Sequence, residues 1–76
     1  MTFLETKLKG CFIIEPKIIQ DERGYFMESF NEKTFQKGVN QPVHFVQDNQ
    51  SFSTKGVLRG LHYQTGVHAQ AKLVRV

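Results

Sequence analysis

The chain has 76 residues, with ten Lys and Arg against seven Asp and Glu and a formal charge of +3. This length allows at most one small domain with a marginal core, and the dispersed positive charge mildly favours anionic ligands but excludes a polybasic tail. The single cysteine, Cys11, excludes an internal disulfide and points to the cytoplasm. Because the sequence has no long apolar run, we expect no signal peptide and no membrane span.

Five short strands are predicted, because runs rich in Phe, Ile, Val and Tyr alternate with Gly, Asn, Asp, Ser and Pro. The polar sequence QDERG of residues 20–24 is typical of a turn, and STKG of residues 53–56 is typical of a tight connection. These patterns together predict an all-β fold. The predicted strands occupy residues 10–15, 24–30, 43–49, 56–63 and 69–76.

One short helix is predicted near residues 31–37, between the second and third strands. Asn31 is a favourable N-cap residue, because its side chain accepts a hydrogen bond from a backbone N–H of the first turn. The sequence EKTFQK that follows suits one or two helical turns, and Gly38 is a typical residue at which a helix ends.

The sequence GVLRGLHYQ of residues 56–64 contains two polar groups in an otherwise apolar strand. Burial of a cation or an imidazole is costly unless a partner or a ligand compensates for it. Arg59 and His62 would lie on opposite faces of a regular strand, but a bulge at Gly60 would bring both side chains to one cavity. Such a bulge predicts that both polar side chains enter one cavity, where either a structural partner or a ligand compensates for their burial.

Lys72 raises the same question in the last predicted strand. Because side chains alternate between the faces of a strand, Lys72 shares a face with Val74 and Val76. If the two valines point into the core, Lys72 points inward with them, and its charge then acts in a medium of low dielectric constant.

Each of these residues also fits a purely structural role. His62 is compatible with a hydrogen-bonded core histidine, and Lys72 with a lysine that extends from a strand end into water. Arg23 in the QDERG turn is able to pair with Asp21 or Glu22 at the surface, where an ion pair contributes little. Gln47 and Asn49 are also compatible with amides on the surface of a sheet, and Glu28, which shares a strand face with Phe26, is not informative by itself.

Metal binding and cysteine catalysis are not predicted. The histidines His44, His62 and His68 form no His-x-His pair, and no carboxylate follows closely after His62, as a β-barrel metal site would need. Cys11 has no base nearby in the sequence that would generate a thiolate. The aromatic side chains are not interleaved with cations, which argues against single-stranded nucleic acid as a ligand.

Four sequence blocks together resemble the N-terminal half of the dTDP-4-dehydrorhamnose 3,5-epimerase family. They are DERGYFMESF (21–30), FVQDNQSFS (45–53), GVLRGLHYQ (56–64) and AQAKLVRV (69–76). The resemblance implies a cupin-like β jelly roll (a double-stranded β-helix), of which residues 1–76 would be the incomplete N-terminal part. It also implies a homodimer with sites shared between subunits.

The resemblance further implies a cofactor-independent and metal-independent epimerisation at C3 and C5 of dTDP-4-dehydro-6-deoxyglucose, in dTDP-L-rhamnose biosynthesis. His62 resembles the general base of the family, and Lys72 resembles the cation that stabilises the enolate oxygen. Arg59 resembles a ligand of the substrate diphosphate. The other implied substrate-binding residues are Arg23, Phe26 and Glu28, which reach the nucleotide end from a neighbouring subunit, and Gln47, Asp48 and Asn49.

The resemblance covers only the N-terminal half of the family's sequence. Family members are more than twice as long, and their downstream half supplies the tyrosine that acts as general acid, a position that neither Tyr25 nor Tyr63 matches. The chain alone is therefore predicted to be inactive. A sugar-nucleotide-binding or dimerising module stays open as an alternative, as does a sugar 3,4-ketoisomerase of related fold.

Overall fold

The computed structural model describes all residues from 1 to 76. They form two compact units, Met1–His44 and Phe45–Val76. The first unit contains four short strands and one α-helix, and the second contains a single 3-10 turn, Gly66–His68. Strands are thus the main regular element and helix is confined to one short segment, in agreement with the predicted all-β class.

The first two strands form an antiparallel hairpin. Strand β1 (Thr2–Glu5) pairs with strand β2 (Phe12–Glu15) in a register that places Phe3 opposite Ile14 and Leu4 opposite Ile13. Because side chains alternate between faces, Phe3 and Ile14 lie together on the less exposed face. The prediction for residues 10–15 is confirmed with a later start, whereas β1 was not predicted.

Thr6 organises the loop of this hairpin. Its Oγ1 donates to the backbone oxygen of Cys11 at 2.8 Å, and the backbone N–H of Leu8 donates to the same Oγ1 at 3.2 Å. The N–H of Cys11 donates to the oxygen of Leu8 at 3.0 Å, which closes a four-residue turn. Gly10, at the third position of that turn, has φ +83°, a conformation that glycine adopts without a steric cost.

A second hairpin joins strand β3 (Ile19–Asp21) to strand β4 (Gly24–Phe26). Asp21 Oδ1 accepts a hydrogen bond from the backbone N–H of Arg23 at 2.8 Å, so the side chain itself stabilises the turn. The predicted turn at residues 20–24 is therefore confirmed. The predicted strand over residues 24–30 is too long, since β3 offers only three residues as pairing partners.

Helix α1 (Glu32–Val39) begins where the sequence predicts. Asn31 Oδ1 accepts a hydrogen bond from the N–H of Thr34 at 3.0 Å, which confirms Asn31 as the N-cap. The predicted end at Gly38 is wrong. The helix continues to Val39, and Asn40 adopts the left-handed conformation with φ 54° and donates its N–H to the oxygen of Gln36. Asparagine is the common alternative to glycine at this position.

A small apolar core forms between α1 and the first hairpin. Phe35 and Val39 are its buried residues, at 7% and 9% exposure. The ring of Phe35 meets the ring of Phe3 edge to face, with centroids 6.1 Å apart, and lies 5.7 Å from that of Phe30. Such aromatic pairs contribute about 0.5–1.5 kcal/mol beyond the area they bury. They explain why this hairpin has a covered face.

Three strand predictions are wrong in this structure. Residues 43–49, 56–63 and 69–76 contain no strand. A strand exists only where a neighbour accepts its backbone hydrogen bonds, and no ladder forms among these segments. The predicted bulge at Gly60 is absent with its strand, although the backbone there is irregular, with φ +145°. High β-propensity did not suffice without a pairing partner.

Candidate functional site

Residues 47–49 form a short polar segment in the second unit, and a hydrogen bond joins its two amide side chains. Gln47 Nε2 donates to Asn49 Oδ1 at 3.2 Å, so these two side chains lie on the same side of the backbone, as their spacing predicts. Asp48 lies between them in sequence, and all three residues are exposed. The segment therefore offers amide and carboxylate groups to the surroundings.

Arg59 is the most firmly held of the predicted site residues in this unit. Its Nε donates to Ser53 Oγ at 2.7 Å, and its Nη2 donates to the backbone oxygen of Phe52 at 3.2 Å. The intervening turn is closed by a hydrogen bond of 3.2 Å from the N–H of Val57 to the oxygen of Thr54. The tight connection predicted for residues 53–56 is thus confirmed, although it does not join two strands.

His62 and Lys72 are both exposed, and neither makes a hydrogen bond or an ion pair within the chain. The 3-10 turn Gly66–His68 lies between them in sequence. In this structure His62 is therefore not a buried core histidine, and Lys72 does not point into a core. The convergence of Arg59, His62 and Lys72 on one cavity stays a prediction.

The remaining predicted site residues belong to the first unit. Arg23 donates from Nη2 to Asp21 Oδ2 at 2.7 Å and from Nε to the same oxygen at 3.2 Å. These bonds lower the pKa of the Asp21 carboxyl below its ordinary value of 3.8. Phe26 ends β4 with an exposed ring, and Glu28 lies beyond the strand and is exposed.

The pairing of Arg23 with Asp21 at the surface is the structural role that the sequence allows. The Arg23 side chain is largely exposed and that of Asp21 about half exposed, so the ion pair contributes little to stability by itself. The ion pair uses the Nε and Nη2 side of the guanidinium, and Nη1 makes no hydrogen bond within the chain. The contact with Asp21 thus orders Arg23 without using all of its donors.

Neither of two surface cavities in the first unit is lined by a predicted site residue. One of about 410 Å³ lies at the C-terminal end of α1, and one of about 240 Å³ lies within the first hairpin loop. The first is lined by Lys33, Gln36, Lys37, Asn40, Gln41 and Pro42.

A polar cluster next to α1 was not predicted. Glu32 Oε1 lies 2.9 Å from His44 Nδ1 and also accepts a hydrogen bond from Gln36 Nε2 at 3.2 Å. Gln36 Nε2 in turn donates to the backbone oxygen of Val43 at 2.8 Å. The spacing of Glu32 and Gln36 on one helical face was the available sequence signal. The cluster ties residues 43–44 to the helix.

No group of three or more His, Cys, Asp and Glu side chains is close enough together to bind a metal ion. None of the helices is sufficiently long and apolar to cross a bilayer.

Comparison with known proteins gives one consistent family. The family model of dTDP-4-dehydrorhamnose 3,5-epimerase matches residues 5–76. A protein of that name from Shigella flexneri is 59% identical over 99% of this chain and 41% of its own length. Those from Methanothermobacter thermautotrophicus and Escherichia coli are 58% and 51% identical, over 97% and 99% of this chain and 39% and 40% of their own lengths.

The chain therefore belongs to the dTDP-4-dehydrorhamnose 3,5-epimerase family, as its sequence blocks indicated. It spans about two fifths of the length of these curated relatives. The matched range includes every predicted site residue, from Arg23 to Lys72.

Proposed function

We propose that this chain forms part of a dTDP-4-dehydrorhamnose 3,5-epimerase, which inverts C3 and C5 of dTDP-4-dehydro-6-deoxyglucose without a cofactor or a metal. The observation that carries the proposal is the family match over residues 5–76, which includes all four sequence blocks. Because the chain spans about two fifths of its relatives, the activity is assigned to the assembled domain rather than to these residues alone.

The proposed chemistry begins with loss of a proton next to the ketone. His62 takes this proton, since an imidazole is the side chain most often used as a general base. The electron pair moves onto the ketone oxygen, and the Lys72 ammonium stabilises the resulting enolate. Inversion then needs a proton from the opposite face. Neither tyrosine of this chain matches the family's acid, so the donor is assigned to further polypeptide.

The proposed binding groups suit the two ends of a sugar nucleotide. Arg59 is assigned to the diphosphate, because a planar guanidinium donates in pairs to phosphate oxygens. The amide and carboxylate groups of residues 47–49 offer donors and acceptors to hydroxyl groups. Arg23, Phe26 and Glu28 are assigned to the nucleotide end, where the exposed Phe26 ring supplies a stacking surface.

The fold proposed for the assembled domain is a cupin-like jelly roll that forms a homodimer with shared sites. The exposure of large apolar side chains supports a need for further polypeptide. Leu58 and Val67 are 91% and 95% exposed, and Leu61 and Tyr63 are also exposed. A stable domain buries such side chains, which contributes about 1.5–3 kcal/mol each. Strands paired with residues 56–63 and 69–76 would complete the missing ladders, and the facing sheet of a jelly roll would cover these side chains.

The experiment is proton exchange with deuterated solvent, carried out on the complete polypeptide that the gene encodes. Deuterium is expected at C3 and C5 of the sugar nucleotide, measured by mass spectrometry and proton NMR. His62→Ala is expected to abolish the exchange at both carbons. His68→Ala is the matched control, because His68 is an exposed histidine of the same unit without a proposed role. Undiminished exchange in His62→Ala would exclude His62 as the base.

A second candidate function is a binding module that holds the sugar nucleotide or dimerises without turnover. The exposure of His62 and Lys72 favours it for residues 1–76 on their own, since a base and a cation in water lack the low-dielectric site that catalysis needs. Binding of thymidine diphosphate without any proton exchange by the complete polypeptide would support this candidate over the epimerase.

A further inference from the structure

One side of the Arg59 guanidinium is held by the segment that precedes it. Nε–H donates to Ser53 Oγ at 2.7 Å, and Nη2 donates to the backbone oxygen of Phe52 at 3.2 Å. Since a guanidinium has five N–H donors, three remain for another acceptor. They belong to Nη1, which has no partner within the chain, and to the second hydrogen of Nη2.

The chain reversal at residues 54–57 makes this contact possible. The turn is closed by the hydrogen bond from Val57 N–H to Thr54 oxygen, and Gly56 adopts φ +88° within it. Because glycine adopts positive φ readily, the backbone folds back there and brings residue 59 within reach of residue 53. Ser53 is not among the residues to which the proposed function assigns a part in binding or catalysis.

We propose that Ser53 is a positioning residue for Arg59, and that it holds the guanidinium so that the free Nη1–Nη2 end receives two oxygens of a nucleoside diphosphate. This inference rests on the proposed function, because the proposed substrate brings the diphosphate. A free arginine side chain loses rotamer freedom when it binds an anion, and an arginine already held on one side loses less.

The first test measures affinity for thymidine 5′-diphosphate by calorimetry on the complete polypeptide that the gene encodes. Ser53→Ala is expected to weaken binding roughly 2- to 10-fold, the effect of losing one neutral hydrogen bond. Ser53→Thr keeps the hydroxyl and is expected to retain wild-type affinity. Ser51→Ala, a serine two positions away with no contact to Arg59, is the matched control.

The double variant separates positioning from a general structural effect. If Ser53 acts through Arg59, then Ser53→Ala has no further effect on affinity in an Arg59→Ala background. An equal loss in both backgrounds would overturn the inference, because Ser53 would then act on the fold or directly on the ligand. Wild-type affinity in Ser53→Ala would overturn it as well.

A second measurement is independent of the ligand. The Nε–Hε resonance of Arg59 in the nucleotide-free protein is expected to shift and to exchange faster with water in Ser53→Ala, but not in Ser53→Thr. An unchanged resonance overturns the positioning role even if the nucleotide binds. If the resonance responds but Arg59→Ala binds as tightly as wild type, the diphosphate role of Arg59 fails, and the inference fails with it. An unchanged resonance thus shows that the contact between Ser53 and Arg59 fails, whereas unchanged binding by Arg59→Ala shows that the proposed function of Arg59 fails.

Discussion

The ring of Phe3 lies directly against the backbone of Gly38, so strand β1 and helix α1 meet at a position without a side chain. A Cβ atom at residue 38 would overlap ring carbons of Phe3. Glycine within a helix lowers helix stability by about 1 kcal/mol relative to alanine. At Gly38 this cost is offset by the close approach of the ring.

We expect Gly38→Ala to destabilise the first unit, because overpacking costs about 1–3 kcal/mol and exceeds the gain in helix propensity. The measurement is the free energy of unfolding in urea, followed by circular dichroism. In a Phe3→Ala background the sign should reverse, since the ring is gone and only the propensity gain remains. Stabilisation by Gly38→Ala in the otherwise wild-type chain would contradict the packing described above.

Asn31→Ala is expected to lower the free energy of unfolding by about 1 kcal/mol, because the N–H of Thr34 loses its acceptor. Asn31→Asp keeps an acceptor oxygen and serves as the control, with stability equal to or above that of the wild type. Helix content from circular dichroism reports the change. Equal helix content in the wild type and Asn31→Ala would show that the cap does not contribute.

The second hairpin should lose stability in acid. The pKa of Asp21 is lowered in the folded state by its bonds to Arg23. Folding then favours the carboxylate, so its contribution to stability is complete above the ordinary pKa of 3.8 and is lost as the pH falls through the lowered pKa. NMR chemical shifts of β3 and β4, recorded between about pH 6 and pH 2, report it. Asp21→Asn should remove this pH dependence, whereas Glu22→Gln should retain it.

Lys72→Met is expected to slow proton exchange at C3 and C5 about 100- to 1,000-fold, the effect of removing one group that stabilises a developing oxyanion. Methionine keeps an unbranched side chain while removing the charge. Lys55→Met is the control, since Lys55 lies in the turn at residues 54–57 and has no proposed role. The exchange assay is carried out on the complete polypeptide that the gene encodes. An equal loss of exchange in both variants would indicate an effect of net charge rather than of Lys72.

Elements with a local cause were predictable. The Asn31 cap, the polar turn at residues 20–24 and the connection at 53–56 each depend on residues only a few positions apart. Asparagine, aspartate and glycine determine the backbone at such positions through their own side chains or through positive φ. The family was predictable for a related reason, because four short blocks in a given order are a property of the sequence alone.

The contacts between distant residues were not predictable in this way. The Phe3 ring packs against Gly38 of the helix, and no local signal reports a strand about 35 residues away. Ser53 was missed because its hydrogen bond to Arg59 depends on the chain reversal between them.

The sequence by itself determined the family of this chain, its local turns and caps, and the chemical types of its candidate base, cation and arginines. The tertiary structure decided which apolar runs become strands, which ring packs against Gly38 and what holds Arg59. The physical reason is that caps and turns are satisfied by near neighbours, whereas a strand needs the backbone of a second strand. Residues 56–63 and 69–76 have the composition of strands, but they lack that second strand here.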